Sequence, residues 1–76
     1  MNNVYIILID FNDSTTYHIL VKKDSTIYNI KAELYELYGI ECNYKLYYNN
    51  IYPIELNDMD KISELKDNSY LIISKT

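Results

Sequence analysis

The stretch Asp24-Ser25-Thr26-Ile27-Tyr28-Asn29-Ile30-Lys31-Ala32-Glu33-Leu34-Tyr35-Glu36-Leu37-Tyr38-Gly39-Ile40 decides the architecture, because it holds one whole helix with both of its end signals. Thr26 is the N-cap, with a hydroxyl that can accept an orphan amide of the first turn. Ile27, Ile30 and Leu34 recur at helical spacing and form the buried stripe, with Ala32 and Leu37 at its margins. Gly39 is the only glycine of the chain and stands where the helix must stop, as a left-handed C′ residue does. A single amphipathic helix buries one face, and the segments on either side must supply the surface that receives it.

Those segments read as strands. Val4 to Asp10 (VYIILID) is rich in β-branched and aromatic side chains and reads as a buried strand. Phe11-Asn12-Asp13-Ser14-Thr15 is turn-forming. Thr16 to Val21 (TYHILV) then alternates, with Tyr17, Ile19 and Val21 on one face and His18 and Leu20 on the other, completing an N-terminal hairpin. After the helix, Lys45 to Tyr48 (KLYY) and Ile51 to Ile54 (IYPI) flank Asn49-Asn50, a dipeptide suited to a tight turn. Pro53 demotes the second of these to a short edge strand or its end. Glu55 to Asp67 is polar, with Leu56, Ile62 and Leu65 as spaced anchors, and predicts an ordered connection with a helical turn. Tyr70 to Ile73 (YLII) is the last strand. The order β-β-α-β-β-turn helix-β predicts an α+β domain of two layers, one sheet covered on one face by one helix.

Composition narrows the function. The 76 residues suffice for one domain, and a chain this short buries only about 60–65% of its unfolded surface. With 49% hydrophobic residues and ten tyrosines, the core alone must hold the fold. One cysteine permits no internal disulfide, and Cys42 and His18 stand apart from any partner for a zinc site. Neither a membrane-spanning run nor a signal-peptide pattern occurs, so the expected compartment is cytoplasm or nucleus. A net charge of −4, carried with seven lysines and no arginine, argues against nucleic acid as a partner.

Over nearly its whole length the sequence resembles ubiquitin. The resemblance is carried by Asp24 to Glu33 closing in Gly39-Ile40, by Leu46-Tyr47-Tyr48-Asn49-Asn50, by Lys61-Ile62-Ser63-Glu64-Leu65, and by Asn68 to Ile73. It implies the ubiquitin-like β-grasp fold, a mixed sheet with the first strand beside the last and the last beside the third. By alternation, the face away from the helix would carry Ile6, Leu8, Lys45, Tyr47, Ile72 and Ser74. On ubiquitin that face holds a leucine–isoleucine–valine patch that receptors recognise; the matching positions here are Asn12, Tyr47 and Ser74, and the patch's histidine is Ile72. The patch is thus rebuilt, centred on Tyr47 and Ile72 with Leu8 beside them. A one-residue slip of Val4 to Asp10 would instead bury Ile6 and Leu8 and expose Ile7 and Ile9.

Departures from ubiquitin set the expected function. A conjugated modifier needs a tail ending in Gly-Gly, and no Gly-Gly occurs before Thr76. Chain-building lysines correspond to Asp10, Thr15, Glu33, Leu37 and Ile51, and only Lys31 is retained. In the family that lysine pairs with an acid after the fourth strand, for which Glu55 is the match. The resemblance therefore implies a non-catalytic interaction domain, the N-terminal part of a larger protein. It would dock protein partners of the proteasome or ubiquitin-receptor type through Leu8, Lys45, Tyr47, Ile72 and Ser74. No cofactor, nucleic acid or membrane is called for, and a monomer is expected. The alternative is a modifier whose conjugating tail follows Thr76.

Other residues invite chemistry less. His18 faces outward without a readable nucleophile or acid, and Cys42 lies in a loop without a base to activate it. Asp58, Asp60 and Glu64 alternate with apolar anchors and lack calcium-loop spacing. Tyr17 and Tyr48 fill core positions, whereas Tyr28, Tyr35, Tyr38 and Tyr52 are exposed.

Overall fold

Antiparallel partners that stand directly opposite share a face, and this rule fixes the inner surface of the first hairpin. In the computed structural model, which describes residues 3–49, 51–65 and 69–75, β1 (Asn3–Asp10) pairs antiparallel with β2 (Thr16–Lys22). The register sets Val4 against Val21, Ile6 against Ile19 and Leu8 against Tyr17. Ile19 and Val21 are buried, so Val4, Ile6 and Leu8 must be buried with them, and Ile6 and Leu8 are 0% exposed. This corrects the expected placement of Ile6 and Leu8 on the outer face. The run Tyr5 to Ile9 is apolar at every position, so alternation within β1 cannot choose a face; the cross-strand partners choose it. The chosen register also leaves Tyr5 outward, where its hydroxyl meets His18 Nδ1 across the strands.

The remaining strands are β3 (Tyr44–Tyr48), β4 (Ile54–Leu56) and β5 (Ser69–Lys75). They complete one mixed sheet of order β2-β1-β5-β3-β4, with β5 parallel to β1 and antiparallel to β3. The expected neighbours of the last strand are therefore found. The fourth strand is shifted: it starts at Ile54, opposite Tyr48, and not at Ile51. Proline has no amide to give β3, so Pro53 ends the loop and pairing begins one residue later. Asn50, half of the expected turn, lies outside the described residues.

Helix α1 (Ile27–Tyr38) buries Ile27, Ile30 and Leu34 against the sheet. Ala32 and Leu37 are exposed, not marginal to the core; the half-buried residues that flank the stripe are Lys31 and Glu33. Tyr38 packs edge-on against Tyr17, ring centroids 4.9 Å apart, and its hydroxyl donates to the His18 carbonyl at 2.9 Å. At the other end, all four first-turn amides find acceptors. Asn29 and Ile30 donate to Thr26 O, whereas Ile27 donates to Asp60 O at 3.0 Å and Tyr28 to Asp58 O at 2.9 Å. Asn29 Oδ1 in turn accepts from the Thr26 amide (2.9 Å) and hydroxyl (3.1 Å), the return half of a capping box in which the Thr26 side chain faces the Asn29 amide. The helix ends at Gly39, φ 70°, whose amide returns to Tyr35 O at 2.9 Å.

The connection after β4 is thereby stapled to the helix. Lys31 Nζ reaches Asp58 Oδ1 at 2.7 Å and lies 5.6 Å from the centroid of the Tyr44 ring. Its partner is not Glu55, which sits within β4 and faces away from the helix; Asp58 is the acid that follows the strand. Asp60 caps the amide of Asn57, and a 3-10 turn (Ile62–Glu64) drops Ile62 into the core. The side chain of Glu64 lies outside the described residues. No helix among the described residues is long and apolar enough to cross a membrane.

Candidate functional site

The helix covers one face of the sheet, and the other face carries the residues that the pleat turns outward. Two cross-strand pairs on β3 and β5 form its centre: Tyr47 stands opposite Ile72, and Lys45 opposite Ser74. These are four of the five expected partner-binding residues, and the structure brings them together. Ile9 continues the Tyr47–Ile72 row across β5 onto β1, and Ile7 pairs with Tyr70 in the row beside it. Leu8, the fifth expected residue, lies in the core beneath them, and Ile7 and Ile9 hold the outward positions of that strand.

Sequence reasoning missed two residues that shape this surface. Phe11 follows β1 immediately, its amide donating to Ile73 O at 2.9 Å, and its ring is 74% exposed. Pro53 approaches from the loop before β4. Together with Tyr47, Ile72 and Ser74 they line a shallow depression of about 190 Å³ on the uncovered face. The signal for Phe11 was present: an aromatic ring inside an otherwise polar turn has no core to fill. The signal for Pro53 was read only as a strand breaker.

The rim is charged. Lys45 Nζ lies 3.8 Å from Glu55 Oε2, both side chains about half exposed, which is a loose pair of little energetic weight. On the core side of the sheet, where β1 and β5 end, Lys75 Nζ meets the buried carboxylate of Asp10 at 3.2 Å; this carboxylate also accepts from the Asn12 amide at 2.8 Å. That pair orders the turn carrying Phe11. In the same turn Asp13 accepts from the Thr15 amide at 2.9 Å, and this hydrogen bond holds its carboxyl below the usual value of 3.8. Ser14 carries the turn through positive φ, 63°. The surface can therefore bury apolar groups and exchange ion pairs. His18 faces outward as expected, and Cys42 is exposed.

Neither a family model nor a curated protein matches this sequence. Solved structures do match its fold. The ubiquitin-like domain of an Arabidopsis thaliana protein superposes with a TM-score of 0.78 at 16% identity, covering 96% of this chain and 77% of that one. The C-terminal ubiquitin-like domain of mouse tubulin-specific chaperone e gives 0.79 at 15% identity, covering 99% and 88%. A designed protein based on ubiquitin gives 0.78 at 21% identity, covering 95% and 87%. With these structures superposing on 95–99% of its length, this chain has the fold of a ubiquitin-like β-grasp domain.

Proposed function

We propose that this chain is a non-catalytic interaction domain that docks protein partners of the ubiquitin-receptor or proteasome type on its outer sheet face. The observation that carries the reading is the depression between Phe11, Tyr47, Pro53, Ile72 and Ser74, on the one face of the sheet that the helix leaves uncovered. A concave apolar site with a polar rim suits one anchor side chain of an amphipathic helix laid across the strands. Tyr47 is the residue best suited to dominate, because a tyrosine buries a large rigid ring at little entropic cost. The two natural likenesses are domains of larger proteins, which supports a part that docks rather than a modifier that is conjugated.

Calorimetric titration with ubiquitin-interacting helices and ubiquitin-associated domains tests the reading. Binding in the micromolar range is expected for so small a contact. Tyr47→Ala or Ile72→Ala should each weaken it by about 1–2 kcal/mol, with the thermal midpoint nearly unchanged because both side chains are outside the core. Two variants that bind as the parent does would remove the sheet face from consideration.

A further inference from the structure

A strand at the border of a sheet leaves every second residue with its amide and carbonyl aimed away from the sheet, and β2 is such a strand. Two bonds at the end of β1 show which residues these are. The Asp10 amide donates to Thr15 O at 2.8 Å, toward β2, and the Phe11 amide donates to Ile73 O at 2.9 Å, toward β5. Even-numbered residues of β1 therefore bond to β2, and the register makes their partners Tyr17, Ile19 and Val21. Thr16, His18, Leu20 and Lys22 are left with their main-chain groups pointing off the sheet.

Two of the outward carbonyls are already engaged. His18 O accepts from the Tyr38 hydroxyl at 2.9 Å, and Lys22 O accepts from the Ser25 amide at 3.0 Å. Between these closed points, the amides of His18, Leu20 and Lys22 and the carbonyl of Leu20 have no partner among the described residues. The open stretch thus offers three donors and one acceptor. Beside it, toward the helix, runs an open groove of about 640 Å³, walled by Val21 and Lys22 of β2 and by Asn29, Ala32 and Glu33 of α1.

That imbalance selects the occupant. The edge of a second copy brings the same surplus of donors. Paired antiparallel about Leu20, it would set the amides of His18 and Lys22 against the carbonyls that Ser25 and Tyr38 already hold. A helix has turned its carbonyls inward on itself. An extended peptide presents a free carbonyl at every second residue and has to give only one amide in return. Strand alternation then sets its side chains. Residues opposite His18, Leu20 and Lys22 share the outer face, where Leu20 is 58% exposed, and the two between them lie over the polar groove.

We infer that β2 takes an extended peptide of another protein as an added antiparallel strand along His18 to Lys22, with apolar residues beside Leu20 and short polar ones over the groove. This edge is separate from the depression around Tyr47, so the inference goes beyond docking on the outer face and does not depend on it.

The probe is the heptapeptide Lys-Val-Thr-Val-Thr-Val-Lys, blocked at both ends, and amide hydrogen exchange read by NMR is the test. In the free chain the amides of His18, Leu20 and Lys22 should exchange fast and those of Ile19 and Val21 slowly. Saturation with the peptide, expected below millimolar concentration, should slow the first three by at least about 10-fold. Replacing the central valine's N–H by an ester oxygen removes the one donor that the edge can accept and should weaken binding about 10-fold; the same change at either outer valine should cost less than about 3-fold. Leu20→Pro deletes a donor that β1 does not use and should abolish binding with the sheet intact, whereas Leu20→Val should bind as the parent does. The ester series leaves the protein unchanged, so it decides the matter even where Leu20→Pro fails to fold. No saturable binding at millimolar peptide overturns the inference, as does binding without protection of the three amides or an equal loss at all three esters. Ile72→Ala should leave peptide affinity unchanged, and a loss there would move the peptide to the outer face and overturn the edge site. Edge protection in a chain that ignores every helix tested would overturn the docking reading alone.

Discussion

Replacing Lys31 with Met tests what holds the helix to the connection after β4. The substitution keeps an unbranched apolar stem and removes the charge. Lys31 Nζ lies 2.7 Å from Asp58 Oδ1, and the two side chains are 12% and 52% exposed. Exposed pairs contribute about 0–1 kcal/mol, whereas breaking a fully buried pair costs about 3–5 kcal/mol. Here the ammonium is largely withdrawn from water but the carboxylate is wet, so solvent screens the contact and the coupling should be about 1 kcal/mol. The methionine also loses the cation above the Tyr44 ring, worth about 0.5 kcal/mol, which brings the whole cost of Lys31→Met to about 1.5–2 kcal/mol.

A double-mutant cycle separates the two contributions, because the ring contact is present in both arms and cancels. Lys31→Met, Asp58→Asn and the double variant are compared by urea unfolding at low salt near neutral pH. In a domain of this size 1 kcal/mol moves the thermal midpoint by about 4–8 °C, so the effect is readily measured. The same cycle with Glu55→Gln is the control. Glu55 pairs loosely with Lys45 on the opposite face, and its coupling to Lys31 should be near zero. Coupling of Lys31 to Glu55 as large as that to Asp58 would refute the placement of the connection described above.

Two further outcomes are expected. Gly39→Ala adds a Cβ that meets no atom within 4 Å, so the only cost is that of left-handed backbone at φ 70°, about 1–2 kcal/mol; a loss above about 3 kcal/mol in denaturant unfolding would show that the backbone account is incomplete. Asp13, with its folded pKa lowered by the Thr15 amide, should titrate below 3.8 by carboxyl NMR. Its contribution to stability is then complete above the ordinary carboxyl range and lost as pH falls through the lowered value, and Asp13→Asn should flatten that part of the acid unfolding curve. A folded pKa at or above 3.8 would contradict the turn geometry.

The helix was legible because its signals are local. Thr26, the stripe Ile27–Ile30–Leu34 and Gly39 lie within one segment, and each acts through backbone geometry or spacing that does not depend on distant residues. The hairpin of β1 and β2 was legible for the same reason, since Thr16 to Val21 alternates cleanly. What could not be read were choices made between segments. The partner of Lys31 depends on how the chain after Leu56 returns to the helix, and there main-chain bonds from Ile27 and Tyr28 to Asp60 and Asp58 decide the outcome. The start of β4 was misread because Pro53 was taken as part of the strand that it in fact precedes.

The error at Leu8 and the character of the site have one origin. Tyr5, Ile6, Ile7, Leu8 and Ile9 form an unbroken apolar run, so the strand would be stable with either set of side chains inward. A strand bordering solvent on one side ordinarily alternates, and alternation is what makes its register readable. Here the uncovered face has not been made polar: Ile7 and Ile9 stand where solvating residues would, beside Tyr70, Ile72 and Tyr47 on the neighbouring strands. Burial pattern thus cannot assign Leu8 from sequence for the same physical reason that the outer face is apolar. If Ile7→Thr and Ile9→Thr were introduced together, the alternation would be restored and the register pinned more firmly. Loss of association through this face without loss of the fold would follow, because the residues removed from the surface are ones the core does not use.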